Sequence, residues 1–393
     1  MAIFFNFTQI KQYLKGLIKS FIWDFRSIDK KSLVMLIIII SIGFVFTLSA
    51  IYAVSVRIYI NPHMLLIKHL LSIGIGCFLF MFFIRKEIEV IEKISLIAFI
   101  FILGLIYTLP FFATTVKGSK RWIDLGFFSI QPSEILKPFF VVVNSIFINK
   151  INSDDYRKRR KGLASSVILI LIVGFPLIIQ PDIGMFTVYL IVWAVQLFIY
   201  GIRMKFFYYL SVVLVGLCVI LYTTLPHFKY RIGKYLSSSI GVSSYYQAFK
   251  AKQAIKSGSF GGNGIGGGVV KYQIPDSYSD YIFCVMIEEL GFFIMLMFSG
   301  LYLIFLLRQF LRSSMYDLIF IRVLIVGLIT MIAVPFFIHI GVNTNLLPSK
   351  GMTWPLISYG GSSTISSFIL LGILFSITRK DRYNIFKFNN LKY

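Results

Sequence analysis

Ten long apolar runs set the pattern of the chain, at residues 33–53, 64–84, 95–113, 134–149, 164–180, 182–200, 206–225, 279–307, 317–341 and 356–378. A bilayer core about 30 Å thick is crossed by about 20 apolar residues of helix, because backbone polar groups in lipid must be satisfied within the segment. The pattern therefore predicts an all-α, polytopic integral membrane protein of about ten transmembrane helices. A single membrane domain covers 33–378, preceded by a basic segment over 1–32 and followed by a basic tail over 379–393. Most connections are short. Two are not: residues 114–133, and a stretch of 53 residues at 226–278. Long connections in a compact protein are usually functional or disordered.

Composition sharpens this picture. Of 393 residues, 58% are hydrophobic and 14% charged, against about 25% charged in a soluble domain. A soluble enzyme, a disordered tail and a disulfide scaffold are excluded. Cys77, Cys218 and Cys284 lie far apart, and His63, His69, His227 and His339 have no metal-ligand spacing, so no metal or cofactor site is predicted.

The net charge is +23. An even number of spans puts both termini on one side. With the N-terminus inside, 25 of the 39 basic residues fall on inner segments, as the positive-inside rule requires. Both termini are thus expected to be cytoplasmic. The charge is a topology signal rather than a nucleic-acid footprint. The first 32 residues do not read as a cleavable signal peptide. Lys11, Lys15 and Lys19, with Ile10, Leu14, Leu17 and Phe21 on another face, fit a helix lying on the inner leaflet and its membrane lipids, or equally a basic tail.

The long outer connection carries Lys229, Arg231, Lys234, Lys250, Lys252, Lys256 and Lys271 against Asp276. Such charge could hold an anionic headgroup, or could line a solvated surface. The same connection contains SGSFGGNGIGGG, with Gly262, Gly264 and Gly267 in GxGxxG spacing. No βαβ unit surrounds it, so a dinucleotide site is rejected. A flexible loop or a tight backbone path beside a substrate is expected instead.

Ionisable groups in or beside spans need a partner or a role. Glu134 and Lys137 open the fourth run at i, i+3 and can pair on one helix face. Asp182 follows Pro181 in a tight hairpin and reads as a turn or N-cap residue. Asp280 stands where the long connection enters the eighth run. At about 100° per residue, Glu289 faces away from it and Glu288 lies about 80° off, so a two-carboxylate pair is not expected. A single carboxylate at that boundary suits a general base, and it also suits a helix N-cap. Residues 346–363, LLPSKGMTWPLISYGGSS, carry Pro348, Pro355 and Gly360-Gly361. They read as a broken, re-entrant stretch with Lys350 as an outer positive charge.

Four blocks taken together resemble the SEDS family (shape, elongation, division and sporulation proteins), its FtsW branch more than its RodA branch. They are KGSKRWIDLGFFSIQPSEILK at 117–137, IQPDIG at 179–184, SYSDYIFCVMIEELG at 277–291 and the 346–363 stretch. Lys350-Gly351 favours the division branch. The resemblance implies ten membrane helices and a peptidoglycan glycosyltransferase that polymerises lipid II outside the bacterial plasma (inner) membrane. It implies a class B penicillin-binding protein (an FtsI-type transpeptidase) and other divisome proteins as partners, and a place at the division septum. The family's catalytic aspartate maps to Asp280, though Tyr278, Ser279 and Tyr281 stand where His, Thr and Phe are usual. The family's polar pair maps to Glu134 and Lys137.

Inversion at the donor sugar needs one base for the acceptor hydroxyl and positive charge for the departing pyrophosphate. Asp280 is expected as the base. Lys137 is expected to stabilise the leaving group, with Lys120, Arg121 and Lys350 as further candidates. A divalent cation (Mg or Mn) could accompany the pyrophosphate, but no ligand set is visible. The polyprenyl tail calls for a lateral apolar opening near the fourth and eighth spans. The alternatives are a lipid II flippase or other transporter, a RodA-like enzyme of elongation, and a scaffold without activity.

Overall fold

The computed structural model describes residues 27–116, 119–152, 155–224, 242–348, 351–380 and 382. Among them, α1 (Lys30–Ile58), α2 (Pro62–Arg85), α3 (Ile88–Phe112), α4 (Pro132–Asn149), α5 (Tyr156–Ile179), α6 (Ile183–Tyr200) and α7 (Met204–Thr224) follow the first seven apolar runs in order. The helix α8 (Val242–Gly258) lies in the long connection. Then come α9 (Ile282–Leu290), α10 (Phe292–Ser313), α11 (Ile319–Asn343) and α12 (Gly361–Ile377). Seven of these, α1, α2, α3, α5, α6, α10 and α11, are long and apolar enough to cross a membrane. The expected amphipathic stretch at 10–21 lies outside the described residues, as do Lys229, Arg231 and Lys234.

Local chemistry sets several boundaries. Asn61 caps α2 by accepting from the His63 amide, with Pro62 in the first helical position. Asp155 caps α5 through the Arg157 amide. Asp182 caps α6 through the Met185 amide, and Gly201 ends that helix in the left-handed region. Each cap satisfies a helix-end group that has no partner within the helix.

Several described helices sit inside the bundle, α4 and α9 among them. Every residue of α12 from Ser362 to Ile377 is buried, and so is most of α11. Outer helices instead present apolar side chains outward, such as Phe78 on α2, Ile97 and Phe101 on α3, and Val212 and Val213 on α7. In lipid this is the stable arrangement, since hydrocarbon solvates those faces as well as protein does.

The eighth run is not one span. It breaks at Gly291, whose φ of +80° ends α9 and starts α10. A Cβ at Gly291 would lie 2.3 Å from the Phe260 carbonyl oxygen. The glycine-rich segment therefore takes a tight backbone path here at Gly258 and Gly262. It packs against the break, where the Asn263 and Gly264 amides donate to the Glu288 and Glu289 carbonyls, each at 2.9 Å. These carbonyls end a helix and need outside partners.

Residues 114–133 also depart from a simple loop. They hold a three-stranded antiparallel sheet, β1 (Thr114–Val116), β2 (Ser119–Asp124) and β3 (Ser129–Ile130). Thr114 pairs with Trp122 and Ile123 with Ile130.

The described start and end of the chain meet at one end of the bundle. Arg308 grips Asp29 through Nε at 3.0 Å and Nη2 at 2.8 Å. Arg312 lies 3.1 Å from Asp29 and donates to the Thr378 carbonyl at 2.7 Å. Arg379 donates to the Ile84 carbonyl.

Candidate active site

Asp280 closes a turn built on Asp276. The Ser279 and Asp280 amides donate to the Asp276 carbonyl at 3.1 and 3.0 Å. The side chain is half-buried just ahead of α9. The N-cap position of that helix is Tyr281, one residue on, and the Cys284 amide in the first turn reaches Asn343 Oδ1 across from α11. Asn343 also donates to the Asp280 carbonyl at 2.9 Å. Gly351, with φ +62°, comes so close that a Cβ there would lie 3.1 Å from Asp280 Oδ2. Lys350 lies outside the described residues.

Aromatic groups wall this turn. The Tyr359 amide donates to the Tyr278 carbonyl at 2.8 Å, and the two rings meet edge-on at 4.7 Å. His69 of α2 lies 5.4 Å from the Tyr359 ring. Burial, then the Asp276 carboxylate, Tyr359 and Asp280, push the Tyr278 phenol well above its ordinary range. Burial and Asp280 do the same to Tyr281. Both phenols stay protonated.

Within the broken stretch before α12, Met352 and residues 354–358 are buried in protein, while Leu346, Leu347 and Gly351 are exposed. Trp354 is fully enclosed by Phe283, Phe298, Tyr302, Phe336 and His339. Its irregular backbone is satisfied from neighbouring helices. Thr47 donates to the Ile357 carbonyl, His339 Nδ1 meets the Met352 carbonyl at 2.7 Å, and Tyr302 donates to the Pro355 carbonyl. This is the condition for non-helical backbone at membrane depth.

A second polar group forms where β2, α4, the α5–α6 hairpin and α12 meet. Glu134 and Lys137 pair at 2.6 Å in the first turn of α4, both buried. Arg121 donates from Nε to the Gln180 carbonyl at 3.1 Å, donates from Nη2 to the Pro181 carbonyl, and lies 3.3 Å from Asp182. Gln131 Nε2 reaches the other Asp182 oxygen at 3.3 Å, and its amide donates to Ser362 at 2.8 Å. Lys120 is not part of this group. Neighbouring strand residues point to opposite faces, and Lys120 is turned to the Pro110 carbonyl at 2.9 Å.

The expectation for the basic loop residues changes most at Lys271. It is buried, 2.5 Å from Glu289 Oε1 and 2.8 Å from Ser49. Glu288 accepts the amides of Val269, Val270 and Lys271 at 2.7, 2.6 and 2.9 Å. These groups hold the outer connection to α9. Lys250 is likewise engaged, with Gln253 and beside the Tyr246 and Phe249 rings. Among the described residues no group of three or more His, Cys, Asp or Glu is placed to hold a metal ion.

Sequence reasoning missed Asn343, and it took Gly351 only as a branch signal, not as a neighbour of Asp280. The one available signal was a polar residue ending an otherwise apolar run, eight positions before a glycine in the last block.

Comparison with known proteins places this arrangement. The family model FtsW/RodA/SpoVE, described as cell cycle protein, matches residues 30–383. The chain is 30% identical over 346 residues to the probable peptidoglycan glycosyltransferase FtsW of Coxiella burnetii, covering 86% of this chain and 93% of that protein. It is 29% identical to the probable peptidoglycan glycosyltransferase FtsW of Caulobacter vibrioides, over 74% of this chain and 73% of that one. Its fold resembles a solved structure described as structural coordination of polymerization and crosslinking by a peptidoglycan synthase complex. The TM-score is 0.73 at 22% identity, over 91% of this chain and 98% of that one. The Thermus thermophilus rod shape determining protein RodA gives a TM-score of 0.66 at 22% identity, with the same coverage. This multi-pass membrane chain belongs to the FtsW/RodA/SpoVE family of cell-cycle proteins.

Proposed function

We propose that this chain is a peptidoglycan glycosyltransferase that polymerises lipid II into β-1,4 glycan strands in septal wall synthesis. The observation that carries the chemistry is Asp280: a half-buried carboxylate just ahead of α9, anchored at its carbonyl by Asn343 and closely approached by Gly351. In the proposed step Asp280 takes the proton of the acceptor 4-hydroxyl. The oxygen then attacks the anomeric carbon of the donor sugar. The bond to pyrophosphate breaks with its electron pair, and the α-linked donor becomes a β-linked product. No second carboxylate is required, because pyrophosphate leaves without protonation.

Positive charge for the leaving group comes from Lys137 within its Glu134 pair and from Arg121; Lys350, which lies outside the described residues, is a further candidate, and Lys120, turned to the Pro110 carbonyl, is a weaker one. A divalent ion, Mg or Mn, is a co-reactant to test by chelation. The proposed site is the outer leaflet of the bacterial plasma membrane at the septum, with both ends of the chain cytoplasmic. Lipid II enters sideways through the bilayer. The FtsW names of the sequence relatives support division over elongation. The complex described for the structural relative supports a class B penicillin-binding partner.

Incubating the purified protein, with its transpeptidase partner, and labelled lipid II in detergent tests this. Polymer should form with the wild type and fall by about 10²–10⁴ in rate with Asp280→Ala or Asp280→Asn. Polymer from Asp280→Ala at the wild-type rate would refute the base assignment. A protein that only moves lipid II across bilayers makes no polymer in detergent.

A further inference from the structure

Asn343 ends α11 and is almost completely buried. Its amide has one acceptor oxygen and two donor hydrogens, and all are engaged. Nδ2 donates to the Asp280 carbonyl at 2.9 Å and to the His339 carbonyl at 2.8 Å. Oδ1 accepts from the Cys284 amide at 3.3 Å and from Cys284 Sγ at 3.0 Å. Cys284 stands in the first turn of α9, where amides lack partners within the helix. One side chain thus fixes where α9 begins relative to α11 and where the Asp280 backbone lies.

We propose that Asn343 is the positioning residue for Asp280. It sets the reach of the carboxylate toward the acceptor hydroxyl without touching substrate. Gly351 closes the cradle from the other side, since its backbone passes close enough that even a methyl group there would crowd Asp280 Oδ2 at 3.1 Å. This rests on the reading of Asp280 as the base. Displacing a catalytic group by about 1 Å can cost about 10²-fold in rate. Loss of the Asn343 anchor should therefore act on turnover rather than on lipid II binding.

The experiment compares Asn343→Ala, Asn343→Asp, Cys284→Ala and Asp280→Ala, each purified and restricted to the monodisperse fraction. Initial rates are measured against lipid II concentration in detergent. Asn343→Asp keeps the size of the side chain and the acceptor for the Cys284 amide, and loses the donors to the Asp280 and His339 carbonyls. Both Asn343 variants should lower kcat by about 10- to 100-fold, with KM within about twofold. Cys284→Ala, which removes only the thiol contact, should keep wild-type turnover. If Asn343→Ala does not fold, Asn343→Asp carries the test. Wild-type kcat in the folded Asn343 variants, beside an inactive Asp280→Ala, overturns the positioning role. An equal loss in Cys284→Ala overturns it too, since the defect then lies in the start of α9. An active Asp280→Ala overturns the base assignment, and this inference with it.

Discussion

The Lys271 ammonium lies 2.5 Å from Glu289 Oε1, with both side chains sealed from solvent. Lys271 belongs to the outer connection and Glu289 to the last turn of α9, so the pair pins one onto the other. Removing one partner of a buried pair leaves an uncompensated charge and costs about 3–5 kcal/mol, whereas replacing both by apolar groups is often neutral. Lys271→Met should lower the thermal midpoint of the detergent-solubilised protein clearly. Lys271→Met/Glu289→Leu should recover much of the loss. A single variant that melts like the wild type would show that the pair does not fasten the connection.

Gly291 makes the second prediction. Its φ of +80° disfavours any side chain, and a Cβ would overlap the Phe260 carbonyl at 2.3 Å and the Gly262 amide at 2.5 Å. Neither contact is the flexible tip of a side chain, so relief requires backbone movement. Strained backbone of this kind costs about 1–3 kcal/mol before the overlap is counted. Gly291→Ala should reduce the yield of monodisperse protein severalfold by size-exclusion chromatography, while Gly264→Ala, with open space around it but a similar φ, should lose less.

Lys120 and Arg121 separate by a charge-removal comparison. Arg121 holds two carbonyls and Asp182 at the α5–α6 hairpin. Hydrogen bonds to charged groups contribute about 1.5–3 kcal/mol. Arg121→Ala should lower the melting midpoint, and Arg121→Lys should rescue it only in part, because an ammonium lacks the planar fork. Lys120→Ala, on the exposed face, should leave the midpoint unchanged. Equal effects of the two alanine variants would contradict the opposed faces of β2.

Asp29 carries a pH dependence. Burial alone would raise its carboxyl, but the Ser32 hydroxyl, Arg308 and Arg312 outweigh burial and hold it below its ordinary value of 3.8. A depressed carboxyl stabilises the folded state above the ordinary value and loses that contribution as pH falls through the folded one. Wild type should therefore outlast Asp29→Asn in thermal scans at neutral pH. The gap should narrow as pH falls below 3.8 and vanish once the folded carboxyl is protonated. A gap that stays constant through that range would rule out the linkage.

Much of the architecture was legible because hydropathy is local. Each apolar run needs only its own composition to be read as a helix, and caps such as Asp182 sit beside the amides they satisfy. The pairing of Glu134 with Lys137 was legible for the same reason, being three residues apart on one helix. Lys271 was not. Its partners Glu289 and Ser49 stand 18 and 222 positions away, and a lysine in a basic connection looks the same whether solvated or buried. The break at Gly291 was hidden as well, since a glycine inside an apolar run also fits an unbroken span.

Sequence alone therefore determined the membrane class, the order of the apolar helices and local caps such as Asp182. All of these follow from residue chemistry along a short stretch of chain. Only the tertiary structure decided which charges neutralise each other, and that Asn343 at the end of α11 and Gly351 beyond it both approach Asp280. Contacts between distant segments depend on how helices pack, and packing is a property of the whole bundle rather than of any run within it.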